Sequence, residues 1–218
     1  AQESVCMTVT RLIQDLVLNQ AGIDSDTACD GILESCNDIC DAHSIPFCDL
    51  LEKTNIQGHT PHYWVISGSA GPPPPELPPL IRVLIEYCSP LKESTVTDIR
   101  LACLRTCDQW LFQSLRMTPE FNALSQTDRL LLGVEVTPDT VVFGPFTVEF
   151  EFPHFQQRMR ISQSVKLEFV SHARMWRIQF FVGSHKSNSQ VGPGQWGAGL
   201  ALLENSPVAN IRATYTIE

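Results

Sequence analysis

The hydrophobic period of the chain changes once, near Gly133, and no other feature limits the fold as much. Before that point apolar residues recur at helical spacing. Val9, Leu12, Ile13, Leu16 and Val17 fall at i, i+3, i+4, i+7 and i+8, one face of a helix that Gly22 is expected to stop. Ile32, Leu33, Cys36, Ile39 and Cys40 repeat the pattern, and Phe47, Cys48, Leu50 and Leu51 begin it again. Further helices are expected from Glu76 or Pro79 to Tyr87, from Asp98 to about Cys107, and from Asp108 to Leu115. From Val134 onward apolar and polar residues alternate instead. Thr147–Phe152, Val165–Phe169, Trp176–Val182, Trp196–Leu203 and Ile211–Ile217 read as strands, punctuated by Gly183-Ser184 and Gly192-Pro193-Gly194. Several short antiparallel strands of this kind make a sandwich or a barrel. The expected fold class is therefore α+β multidomain, with an α-helical domain over residues 1–133 and an antiparallel β-sandwich over 134–218.

Charge and cysteine follow the same division. Residues 1–133 hold 17 Asp+Glu against 8 Lys+Arg, whereas residues 134–218 hold 7 of each. All eight cysteines (Cys6, Cys29, Cys36, Cys40, Cys48, Cys88, Cys103 and Cys107) lie in the first part. Cysteine stays well below the roughly 8–10% of a small disulfide scaffold. Several cysteines also occupy apolar helical positions, Cys103 and Cys107 being four apart. Buried, reduced thiols in a cytoplasmic or nuclear protein are expected, with a secreted, disulfide-stapled chain as the alternative. The first residue, Ala, is consistent with either a processed secreted chain or a fragment. A net charge of −9 argues against nucleic acid as a partner, because binding phosphates needs clustered Lys and Arg. No window reaches the roughly 18 to 20 consecutive apolar residues of a membrane helix, so no membrane partner is expected.

Gly58-His59-Thr60-Pro61-His62-Tyr63-Trp64-Val65-Ile66 sharpens the reading of the first half. Thr60 suits a helix N-cap, and Pro61 at the first helical position gives up an N–H that the helix does not need. The stretch resembles the ankyrin-repeat signature, with His62 where that family has Leu and Tyr63 where it has His. Asp49-Leu50-Leu51 would close the preceding second helix, and Leu80–Tyr87 would form the next one. The resemblance covers about residues 25–116, interrupted by a polyproline loop at 72–79. It implies protein binding through a concave face and turn tips, near His59 and His62.

In the second half, Phe150-Glu151-Phe152-Pro153-His154-Phe155, Met175-Trp176-Arg177-Ile178, Trp196–Leu203 and Ile211–Ile217 are similar in order and aromatic placement to a MATH domain, the sandwich that also ends TRAF proteins. The match runs over about residues 145–218 and stops before the family's last strands. A fragment, a smaller domain and strands supplied by a partner are the three readings of that stop. An unfinished sandwich would leave a strand edge through which a homo-oligomer could form. The resemblance implies peptide recognition across one sheet, with Leu200 and Tyr215 at groove-lining positions and Trp196 bordering them.

Other constellations give way to simpler readings. Cys36-x3-Cys40 with His59-x2-His62 offers zinc-binding residue types, but the spacing fits no standard finger and the pairs belong to different helices, so no metal is expected. No cysteine sits in a cationic or Gly-flanked setting that would activate it as a nucleophile. No phosphate-binding glycine loop, serine-hydrolase or zinc-protease motif occurs, and no cofactor is expected. Arg158, Arg160, Arg174 and Arg177 are read as solvated strand positions in preference to an anion site. The expected function is non-enzymatic. The chain would bind a peptide or protein ligand, as an adaptor that the MATH resemblance links to substrate selection for ubiquitin ligation. The alternative is a secreted β-sandwich lectin or effector.

Overall fold

The structure is a computed structural model and describes residues 2–19, 26–68, 77–118, 139–143, 147–184, 191–203 and 206–209. The chain is mixed α+β and divides into two compact units, Ala1–Ser125 and Gln126–Glu218. The expected stop at Gly22, residues 72–76 of the polyproline loop and the strand at 211–217 lie outside the described residues.

Seven helices are described in the first unit: α1 (Gln2–Leu18), α2 (Asp26–Ala42), α3 (Phe47–Leu51), α4 (Pro61–Gly68), α5 (Pro79–Cys88), α6 (Glu93–Thr106) and α7 (Gln109–Arg116). Each expected apolar stripe buries its centre and exposes its margin. Val9, Ile13, Leu16 and Val17 of α1 are buried, while Leu12 is exposed. On α2, Leu33, Cys36 and Cys40 face inward, and Ile32 and Ile39 lie on the exposed flank. α4 packs between α1 and α6, α5 packs against α2, α3 and α4, α1 packs against α2, and α7 packs against α6.

Three helix starts show how the chain settles its orphan N–H groups. Pro79 opens α5 with Pro78 as its N-cap, and Asp108 caps α7 by accepting from the Leu111 N–H at 2.9 Å. The third start corrects an expectation. α6 begins at Glu93, five residues before Asp98, because the N-cap residue Lys92 gives its N–H to a carboxylate just past the end of α3, Glu52 Oε1, at 2.7 Å. The same oxygen accepts from the Thr95 hydroxyl at 3.1 Å. Asp98 therefore sits inside α6, free to act elsewhere. A second correction concerns Cys107, which stands in the left-handed conformation just past α6 and is exposed, unlike fully buried Cys103.

The second unit holds two small antiparallel sheets. β1 (Thr140–Phe143) pairs with β2 (Val148–Glu151), and β3 (Ser164–Ser171), β4 (Arg174–Val182) and β5 (Trp196–Leu202) pair in sequence order. Val165, Leu167 and Phe169 face the same side as Phe180, Ile178 and Trp176 opposite them. Phe150 meets Phe169 at 5.1 Å between ring centroids, and Phe152 meets Phe180 at 5.2 Å. Between the sheets in sequence lies a helix that strand periodicity did not anticipate, α8 (Phe155–Ser162). Its buried Arg158 makes a two-pronged ion pair with buried Asp139, so this arginine is a structural cation. Arg177 bonds Glu168, and Arg174 donates to the carbonyls of Pro207 and His172.

The β3–β4 hairpin turns through His172 and Ala173, both exposed and both at positive φ, 52° and 54°. A two-residue turn of this hand favours Gly at its second position, and Ala is strained there. Ala173→Gly is expected to stabilise the hairpin by about 1 kcal/mol. Hydrogen exchange of the β3 and β4 amides should slow about fivefold, and unchanged exchange would contradict the strain.

Candidate interaction surfaces

In the helical unit, the chain leaving α3 reverses through Ile56-Gln57-Gly58-His59. Ile56 and His59 exchange backbone hydrogen bonds at 3.2 and 3.0 Å. Gln57 and Gly58 take positive φ of 50° and 83°, the second of which Gly58 adopts without penalty. This turn delivers Thr60 and Pro61 to the start of α4. Thr60 caps the Tyr63 N–H weakly, at 3.4 Å, and is itself held by a residue 38 positions away. Asp98 Oδ2 accepts from the Thr60 N–H at 2.7 Å and from its hydroxyl at 2.8 Å. The other oxygen, Oδ1, accepts from His59 Nδ1 at 2.6 Å, which fixes the imidazole tautomer. His59 stacks on Tyr63 with centroids 3.7 Å apart, Arg105 donates to the Tyr63 hydroxyl at 2.9 Å, and the Trp64 indole N–H donates to the Ile56 carbonyl. The tip is thus a rigid aromatic platform with His59 at its partly exposed edge.

His59 and His62, paired in the sequence reading, have opposite fates. His62 is 0% exposed, and its ring nitrogens have at most a poorly aligned hydrogen bond with the Leu84 backbone. It presents nothing to a partner. Burial drives its pKa down to about 4, against the opposing influence of the Leu84 backbone, Glu52 and Asp98. Among the described residues no group of three or more His, Cys, Asp or Glu is arranged to hold a metal ion. Cys36 and Cys40 are instead buried on α2, where burial raises both thiols above their ordinary pKa.

In the β unit, Trp196 and Leu200 lie on one face of β5, opposite Val182 and Ile178 of β4. Trp196 is 51% exposed, yet its ring is seated edge-on against Phe155 at 5.8 Å. Phe155 rests in turn on Phe180 at 4.9 Å. Leu200 is half-buried beside buried Ile178. The third residue of the expected groove, Tyr215, lies outside the described residues. The supporting rings come from α8 and β4, which nothing in the β5 sequence announces.

No family model, curated protein or solved structure matches this chain. No helix among the described residues is long and apolar enough to cross a membrane.

Proposed function

We propose that this chain is a non-enzymatic interaction protein that binds a peptide or protein ligand, with an ankyrin-like helical part over about 25–116 and a MATH-like sandwich over about 145–218. The observation that carries the reading is Trp196. A large aromatic side chain stands half out of the surface on a preformed aromatic base, with aliphatic Leu200 further along the same face beyond Ala198. Rigid tryptophans of this kind dominate binding energy where they are covered by a partner. Support for the helical assignment comes from the packing of successive helices α1–α2, α4–α5 and α6–α7 and from the positive-φ turn before Thr60-Pro61. Selection of substrates for ubiquitin ligation is the role that the MATH resemblance adds.

Panning a random peptide library on the full chain alone, with every enriched peptide then measured against the full chain and the Trp196→Ala chain, tests the proposal. Enriched peptides should lose affinity about 30-fold on Trp196→Ala, the equivalent of roughly 2 kcal/mol, while far-ultraviolet dichroism stays unchanged. Peptides that bind both chains equally would move the site elsewhere. Binding to a glycan array with no peptide enriched would favour the lectin.

A further inference from the structure

Two thiols come together where α3 meets α5. Cys48, half-buried in α3, and Cys88, the 2%-exposed last residue of α5, lie within hydrogen-bonding reach of one another. The Cys88 sulfur also sits 3.9 Å from the Cys48 carbonyl oxygen. The Cys48 thiol donates to Glu52 Oε2 at 3.4 Å, and the Lys92 ammonium holds that same oxygen at 3.0 Å. Elsewhere, Cys6 of α1 and Cys40 of α2 also influence one another across two helices. Cys36 and Cys40 are one turn apart along a single helix, Cys103 is sealed in the core, and Cys107 is exposed with its thiol on the Leu104 carbonyl.

We propose that Cys48 and Cys88 form a reversible disulfide that clamps α3 to α5 when the chain meets a small-molecule disulfide oxidant. Cys48 is the attacking sulfur, because it is the more accessible of the two; the Lys92 charge favours its thiolate, while Glu52 opposes it. Its thiol gives up a proton, and the thiolate attacks one sulfur of the oxidant. A mixed disulfide forms, and a small thiolate leaves and takes up a proton. Cys88 then loses its proton and attacks the Cys48 sulfur, the protein disulfide closes, and the second small thiol departs. In balance, two cysteine thiols are oxidised and one oxidant disulfide is reduced to two thiols. Burial raises both thiols above the ordinary pKa, Cys88 further than Cys48, and the Lys92 charge opposes this. Exchange is therefore slow and must be followed to equilibrium.

The test incubates the native full-length chain with oxidised glutathione, alkylates the remaining thiols and maps the peptides by mass spectrometry. Exposed Cys107 reports that the oxidant is active. A Cys48–Cys88 cross-linked peptide is expected, and it should disappear on adding reductant. In Cys88→Ala the glutathione adduct should persist on Cys48. In Cys48→Ala, Cys88 should remain alkylatable only after denaturation. The proposal fails if Cys107 is modified and no Cys48–Cys88 peptide forms, if another pair cross-links instead, or if Cys88 takes the adduct in Cys48→Ala. Circular dichroism of both alanine variants guards against misfolding, and the wild-type result stands without them.

Discussion

Replacing Asp98 with alanine is expected to cost the helical unit about 3–5 kcal/mol, the scale of breaking a buried charged network. Asp98 is 9% exposed and its carboxylate receives three donors: the Thr60 N–H, the Thr60 hydroxyl and His59 Nδ1. Alanine removes every acceptor at once. The Thr60 N–H and hydroxyl, themselves buried, are left without a partner, and each such orphan costs about 1–3 kcal/mol. His59 loses its anchor as well, so its stack on Tyr63 loosens and the turn tip with it. Against a typical total stability of about 5–15 kcal/mol, such a loss brings the unit close to unfolding at room temperature. Asp98→Asn keeps acceptor capacity on one oxygen but turns an N–H toward the other donors, and should cost roughly half as much. Urea denaturation at neutral pH, followed by far-ultraviolet dichroism, measures both. A loss under about 1 kcal/mol for alanine would mean that Asp98 does not hold this network.

That network also marks where local sequence reasoning stops. The stripes of α1 and α5, the Pro61 and Pro79 helix starts, the Asp108 cap and the alternation of β3 and β4 are all written in neighbouring residues, and the structure carries them. Helices are expected to begin at both Asp98 and Asp108, and only Asp108 stands at a helix start. What differs is a carboxylate, Glu52, 40 positions before Lys92, that caps α6 from outside and releases Asp98 to cap α4. Bonds that span 38 to 40 residues leave no periodic trace in the sequence. α8 was hidden differently. Phe155, Arg158 and Met159 have helical spacing, but Arg158 counts as polar until Asp139 neutralises it. Trp196 and Leu200 were legible as neighbours on one strand face, while the Phe155 and Phe180 rings beneath Trp196 were not.

Acid should weaken the helical unit through a single imidazole. The folded His62 has a pKa of about 4 against an ordinary 6.5, because burial penalises its cation more than Glu52, Asp98 and the Leu84 backbone favour it. The sign follows directly. Between these two values the unfolded chain binds a proton that the folded chain refuses, so stability falls as pH drops from about 6.5 to about 4. At about 1.4 kcal/mol per unit the total comes to about 3 kcal/mol. Glu52 works over a lower range. Burial alone would raise its pKa, but the Lys92 N–H and ammonium, the Cys48 thiol and the Thr95 hydroxyl hold it below the ordinary 4.5. Its contribution is complete above 4.5 and fades only as pH falls through its folded value. His62→Leu separates the two. Leucine matches the apolar surroundings, leaves no unpartnered nitrogen and cannot titrate. The variant should be more stable than the parent by about 1 kcal/mol at pH 7, and the gap should widen to roughly 3–4 kcal/mol near pH 4.5. Parallel urea titrations across that range decide the matter, and two curves that fall together would place the acid sensitivity in the carboxylates instead.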